Sequence, residues 1–149
     1  MIRAVILSVV LAVPLWAQTR ELDLTPAPTW VDTNIDLTAG DTLKITATGQ
    51  LQYSNARQAN AAAGLPRGFA DLVRVMQLND AGRGALLGRI GDSAAARPFL
   101  IGESLSYKAP IAGRLFIAIN QTSMDQATGS YHVVIERTAA ITKGECKWF

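Results

Sequence analysis

Between Asn120 and Thr128, seven of nine positions carry side-chain oxygens: Asn120, Gln121, Thr122, Ser123, Asp125, Gln126 and Thr128. A hard cation such as calcium takes about six to eight oxygens from carboxylates, amides and backbone carbonyls, and a loop of this kind supplies several from neighbouring residues. The charge count opposes a tight site. Asp125 is the only carboxylate in the loop, whereas tight calcium sites use about two or more to offset the ion's charge. An exposed hairpin turn has the same composition, so the residues alone leave a cation site and an ordinary polar turn both open.

No constellation for catalysis accompanies this loop. His132 is the only histidine, and its strand parity sets it opposite the apolar face of Tyr131, Val133 and Ile135, where a half-exposed surface residue is expected. Nothing near it in sequence nominates a nucleophile or an orienting acid. Asp80 and Asp92 sit in Gly-containing turns, where Asp is favoured because its side chain bonds the local backbone, so they make a poor carboxylate pair for glycoside hydrolysis. The glycines at 82, 84, 88 and 91 lack nucleotide-fingerprint spacing and open a strand where that fingerprint opens a helix. Asn120-Gln121-Thr122 matches a glycosylation sequon, a match short enough to arise by chance. The chain reads as a binding or structural protein, not an enzyme.

The elements that position the loop form a series of short apolar runs separated by Gly, Pro, Asn and Asp at roughly ten-residue spacing, the punctuation of an antiparallel sandwich. Val31, Ile35 and Leu37 precede a turn at 38–41. Leu43, Ile45 and Ala47 then alternate with polar residues, Gly49 ends or bulges the strand, and Leu51 and Tyr53 continue it. The Ala-, Asn- and Gly-rich segment 55–68 reads as a long loop. Phe69, Leu72, Val73 and Met76 fall at helical spacing, predicting one short helix over Arg67–Leu78 that caps an open end of the sandwich. Strands follow around 85–90, at 99–101 and 105–107 as one bent strand or two short ones, at 115–119, and at 131–136. The fold class is therefore all-β, an antiparallel β-sandwich with one short helix.

The 149 residues suffice for one domain. Arg3, the apolar run Ala4–Val13 and the small residue Ala17 make a secretory signal peptide over 1–17, too short to span about 30 Å of hydrocarbon. Residues 18–29, with Pro26 and Pro28, form a lead-in that covers an edge more than a central strand, 30–137 the sandwich domain, and 138–149 a tail whose Trp148 and Phe149 could dock on an apolar patch. Cleavage leaves 13 basic residues against 12 acidic, scattered without a stripe or aromatic interleaving, which excludes a nucleic-acid footprint. The expected location is secreted or periplasmic, with no membrane span after cleavage. Cys146 is the only cysteine, so no intramolecular disulfide can form, and a free thiol on the tail is expected.

Trp30 followed by Ile35-Asp36-Leu37-Thr38-Ala39-Gly40-Asp41, a strand carrying Gly49 and Tyr53, then Gly84-Ala85-Leu86-Leu87-Gly88-Arg89-Ile90-Gly91, Ala109-Pro110, Gly113 and Thr128-Gly129-Ser130-Tyr131, resembles the Pseudomonas galactophilic lectin family. The resemblance runs from about Trp30 to Glu136 and marks the chain as a divergent relative. It implies a jelly roll of two four-stranded sheets with a calcium ion bridging protein and a galactose-type sugar at one end. Tyr53 matches the tyrosine whose backbone carbonyl binds calcium. The family's Asn-Asp becomes Asn120-Gln121, and its Asn-Asn-Ser-Gly becomes Gln126-Ala127-Thr128-Gly129, so ligands are lost and Asp125 could partly compensate. The implied metal set is then Tyr53, Gln121, Asp125 and Gln126, incomplete for calcium. The implied ligand set is Tyr53, Asn55, Asn120, Gln121, Thr122, Asp125 and Gln126. Two functions stay open: a secreted carbohydrate-binding module with an altered cation site, and a structural or protein-interaction domain of the cell envelope that has lost sugar binding.

Overall fold

Period-two alternation needs a second apolar face to pack against, and here each sheet supplies that face to the other. The computed structural model of the protein describes residues 17–69, 71 and 74–140. Among the described residues there are eight strands: β1 (Ala17–Leu24), β2 (Val31–Leu37), β3 (Thr42–Tyr53), β4 (Leu86–Ile90), β5 (Phe99–Leu100), β6 (Ser104–Lys108), β7 (Gly113–Ile119) and β8 (Ala127–Thr138). They form two four-stranded antiparallel sheets, ordered β1-β8-β3-β6 and β2-β7-β4-β5. Every connection except β4–β5 passes from one sheet to the other, so the fold is a jelly-roll-like sandwich.

The spine is the β3–β8 ladder, twelve residue pairs in unbroken register from Thr42↔Thr138 to Tyr53↔Ala127. Its odd-numbered side chains point inward. Leu43, Ile45, Leu51, Tyr53, Tyr131, Val133 and Ile135 are buried there against Ile35, Leu86, Leu115, Ile117 and Ile119 of the facing sheet. Each such aliphatic side chain contributes about 1.5–3 kcal/mol by leaving water. β4 is buried nearly throughout, and β7 is fully buried from Ile117 to Ile119, as their apolar runs require.

Two expectations change and one open alternative is decided. Gly49 neither ends nor bulges its strand, because the register continues past it to Tyr53. The runs at 99–101 and 105–107 are two strands in opposite sheets, with the crossing at 101–103. The described residues of Arg67–Leu78 contain no α-helix. Their backbone bonds span three residues, Asp71 N–H to Gly68 O (3.0 Å) and Arg74 N–H to Asp71 O (3.4 Å). Two amides that would continue a helix donate instead to side chains, Met76 to Asn79 and Leu78 to Asn120. The expected apolar face is also divided, with Met76 buried and Phe69 93% exposed.

β1 takes the outer edge of its sheet, paired only with β8 from Ala17↔Thr138 to Leu24↔Tyr131. The expected leader apart from Ala17, and the tail from 141 with Cys146, Trp148 and Phe149, lie outside the described residues.

Candidate functional site

The oxygen-rich loop joins β7 to β8 at the end of the sandwich where β3 also finishes. Backbone bonds fix that junction: Asn120 N–H donates to Ala85 O, Gly84 N–H to Asn120 O, and Ser54 N–H to Gln126 O. Gly84 is required here. Its φ is +86°, and an added Cβ would lie 2.5 Å from Asn60 Nδ2 and 3.0 Å from the Tyr53 ring. Beneath it the Tyr131 hydroxyl lies 2.7 Å from Gly84 O and 2.9 Å from Ala61 O, and accepts from Asn60 Nδ2 at 2.8 Å.

Two of the expected ligand residues point inward. Asn120 is fully buried, its amide nitrogen donating to Leu78 O (2.9 Å), Ala81 O (3.1 Å) and Gly82 O (3.1 Å), while its oxygen accepts from Leu78 N–H (3.1 Å). This one side chain pins the 78–82 turn to the end of β7. Gln121, also buried, accepts the Tyr53 hydroxyl at 2.9 Å. Burial pushes the Tyr53 phenol well above its ordinary pKa, Asp125 adding to the rise and Arg83 opposing it.

Asp125 is enclosed by donors. One carboxylate oxygen receives Arg74 Nη1 and Arg83 Nη1, both at 2.9 Å, and the other receives the Thr122 N–H (2.8 Å) and hydroxyl (3.0 Å). Its side chain is 5% exposed and that of Arg83 10%. Burial alone would raise the Asp125 carboxyl. The Thr122 amide, the Arg83 guanidinium, the Thr122 hydroxyl and the Arg74 charge together outweigh it and hold the group below the usual carboxylate range.

Arg83 does more than neutralise. The same Nη1 reaches Asn55 Oδ1 at 2.8 Å, and its guanidinium carbon lies 4.5 Å from the centre of the Tyr53 ring. The loop after β3 and the loop before β8 therefore meet on one guanidinium. The backbone carbonyl of Tyr53 is engaged as well, accepting from Gln52 Nε2 (3.0 Å) and Ala56 N–H (3.1 Å).

Gln126 differs from these. It lines a shallow depression of about 340 Å³ with Gln52, Ser54, Ala127 and Thr128. Among the described residues the side chains of Ser54, Gln126 and Thr128 have no intramolecular hydrogen-bond partner, so their donors and acceptors face outward unpaired. Sequence reasoning missed Arg83, Arg74, Ser54 and Gln52. The only trace of Arg83 was a lone cation between two turn glycines, Gly82 and Gly84.

The other candidates stay apart from this end. His132 lies on the outer face of β8, its Nδ1 2.7 Å from Asp23 Oδ1 on β1, and Asp80 and Asp92 are exposed turn residues. The Asp23 bond raises the His132 pKa, against slight desolvation and with help from the Asp23 and Glu21 charges. No group of three or more His, Cys, Asp or Glu side chains able to hold a metal occurs among the described residues.

No protein-family model matches the chain, and no curated protein matches it. Eight chains of solved structures do. One, described as "EclA N-terminal domain; PllA-like lectin", aligns with a TM-score of 0.55 at 18% identity, covering 83% of this chain and 96% of that one. Likeness at that identity concerns the fold: the two four-stranded sheets form a sandwich of lectin-like type.

Proposed function

We propose that the protein is an exported, non-catalytic carbohydrate-binding module whose ligand sits in the depression at the Tyr53–Ala127 end of β3 and β8. The observation that carries this reading is the set Ser54, Gln126 and Thr128 around that depression, unpaired among the described residues. Hydroxyls and a primary amide both donate and accept, which matches the paired donor and acceptor character of sugar hydroxyls. Asn55, next in the chain to Ser54, is exposed as well. The lectin-like fold supports the same reading, and the galactoside named by the sequence resemblance is the first ligand to try. Export rests on the leader pattern. Cleavage after Ala17 removes one register pair from β1 and leaves the others intact.

Titration calorimetry with simple galactosides tests the proposal. Binding is expected, and Gln126→Ala and Thr128→Val are each expected to weaken it about tenfold or more, the equivalent of one hydrogen bond of about 1.4 kcal/mol. An unchanged affinity in both variants, or no binding by the wild type, refutes it.

A second reading has its own support. Phe69, Val75 and Met124 are 93%, 85% and 88% exposed. The Arg74–Asp125 pair brings the segments carrying Val75 and Met124 together. Exposed apolar side chains at one end suit a protein contact in the cell envelope. Capture of an envelope protein that is lost with Phe69→Ser and Met124→Ser, but unaffected by galactoside, would favour that reading over sugar binding.

A further inference from the structure

The two loops at this end need a positive charge to join them, and the chain carries its own. Asp125, before β8, and Asn55, after β3, both aim an oxygen at Arg83 Nη1, at 2.9 and 2.8 Å. Arg74 adds a second guanidinium to the same carboxylate oxygen. Thr122 occupies the other oxygen with two donors. Of the four residues that the sequence resemblance puts around a calcium ion, Tyr53 has its carbonyl bonded twice, Gln121 has its oxygen buried on the Tyr53 hydroxyl, and Asp125 is saturated. Gln126 alone keeps a side chain without an intramolecular partner among the described residues. A divalent cation needs oxygens with free lone pairs converging on it, and a fixed guanidinium beside the only carboxylate repels it. The residues present do not fit calcium.

We propose that Arg83, assisted by Arg74, does the cross-linking that a divalent cation would otherwise do, so that this end of the sandwich is built and held without metal. Two guanidinium charges meet one carboxylate, and the two N–H bonds of Arg83 Nη1 serve two loops at once while the guanidinium carbon sits over the Tyr53 ring. This concerns loop architecture and holds whether or not a sugar binds.

The test is thermal melting of the purified protein in a chelator, in calcium and in magnesium, with calorimetric titration of calcium chloride alone. Wild type is expected to show the same Tm in all three and no saturable heat. Arg83→Gln, which leaves a buried carboxylate short of one partner, is expected to lower Tm by about 5–10 °C, and Arg83→Lys, which keeps the charge but not the guanidinium over the Tyr53 ring, by less. A saturable calcium response in wild type overturns the proposal without recourse to any variant, as does an Arg83→Gln protein that melts with wild type. If Arg83→Gln does not fold, Arg83→Lys and the wild-type arms decide. Because no arm contains a sugar, failure here is distinct from failure of galactoside binding.

Discussion

Asn120 illustrates what a polar residue type does not reveal by itself. Read along the chain, it begins an oxygen-rich loop and invites a ligand. Folded, its amide closes on three carbonyls and one N–H of the 78–82 turn, inside the protein. Replacing it with Ala strands those buried groups, and we expect a loss of about 2–4 kcal/mol in urea unfolding. Ser123→Ala, at an exposed position of the same loop, is the control and should change stability by no more than about 0.5 kcal/mol. A loss below about 1 kcal/mol for Asn120→Ala would show that water replaces the amide without difficulty. His132 gives the opposite lesson. Its strand parity places it on the surface, where it is, and only its partner on β1 is hidden from the sequence. Its imidazole is expected to titrate above its ordinary value by NMR, and Asp23→Asn to bring it back down. A titration unchanged by that substitution would remove Asp23 as the cause.

At the scale of elements, period-two alternation is legible wherever one face meets the core, as in Leu43, Ile45 and Ala47 or Tyr131, Val133 and Ile135. What it does not convey is continuity. Gly49 reads as an end because glycine weakens strands, yet its role is close approach: a Cβ there would lie 2.3 Å from Ser130 O on β8, at φ +101°. Gly49→Ala should therefore strain the middle of the β3–β8 ladder and destabilise the protein by more than about 1 kcal/mol, beyond the gain that Gly→Ala gives where the backbone permits it. Equal or greater stability in thermal melts would contradict the crowding argument. The 67–78 segment misleads for a different reason. Helical spacing of Phe69, Leu72, Val73 and Met76 describes a pattern, but a helix also needs its amides, and Asn79 and Asn120 take two of them. Partners such as Asn120, 42 residues from Leu78, are invisible to a local window.

At the scale of the whole molecule, one buried carboxylate sits at each end of the β3–β8 ladder. Asp41 precedes β3 and ties the 38–41 turn to the end of β8, accepting from Thr38, Arg137 Nε (2.8 Å) and Ala140 N–H (3.1 Å). Asp125 ties the loops at the other end. Burial would raise Asp41, but the Thr38 and Ala140 amides, Arg137 and the Thr38 hydroxyl bring it down to about 2, and Asp125 is shifted the same way. A carboxyl whose folded pKa is depressed contributes stability that is complete above its unfolded value and is lost as pH falls through the folded one. For Asp41 the window is from 3.8 down to about 2, and the contribution lost is about 2 kcal/mol. His132 works in the other direction: its raised pKa adds stability that is full below 6.5 and disappears as pH rises through the folded value, weakly because the ring is exposed. Urea unfolding followed from neutral pH downward should thus hold steady to about pH 4 and then fall steeply. Asp41→Asn should be less stable at neutral pH and flatter in acid, because the neutral amide has no proton to gain. If that variant keeps the wild-type acid slope, the two ends of the ladder are not where acid unfolding begins.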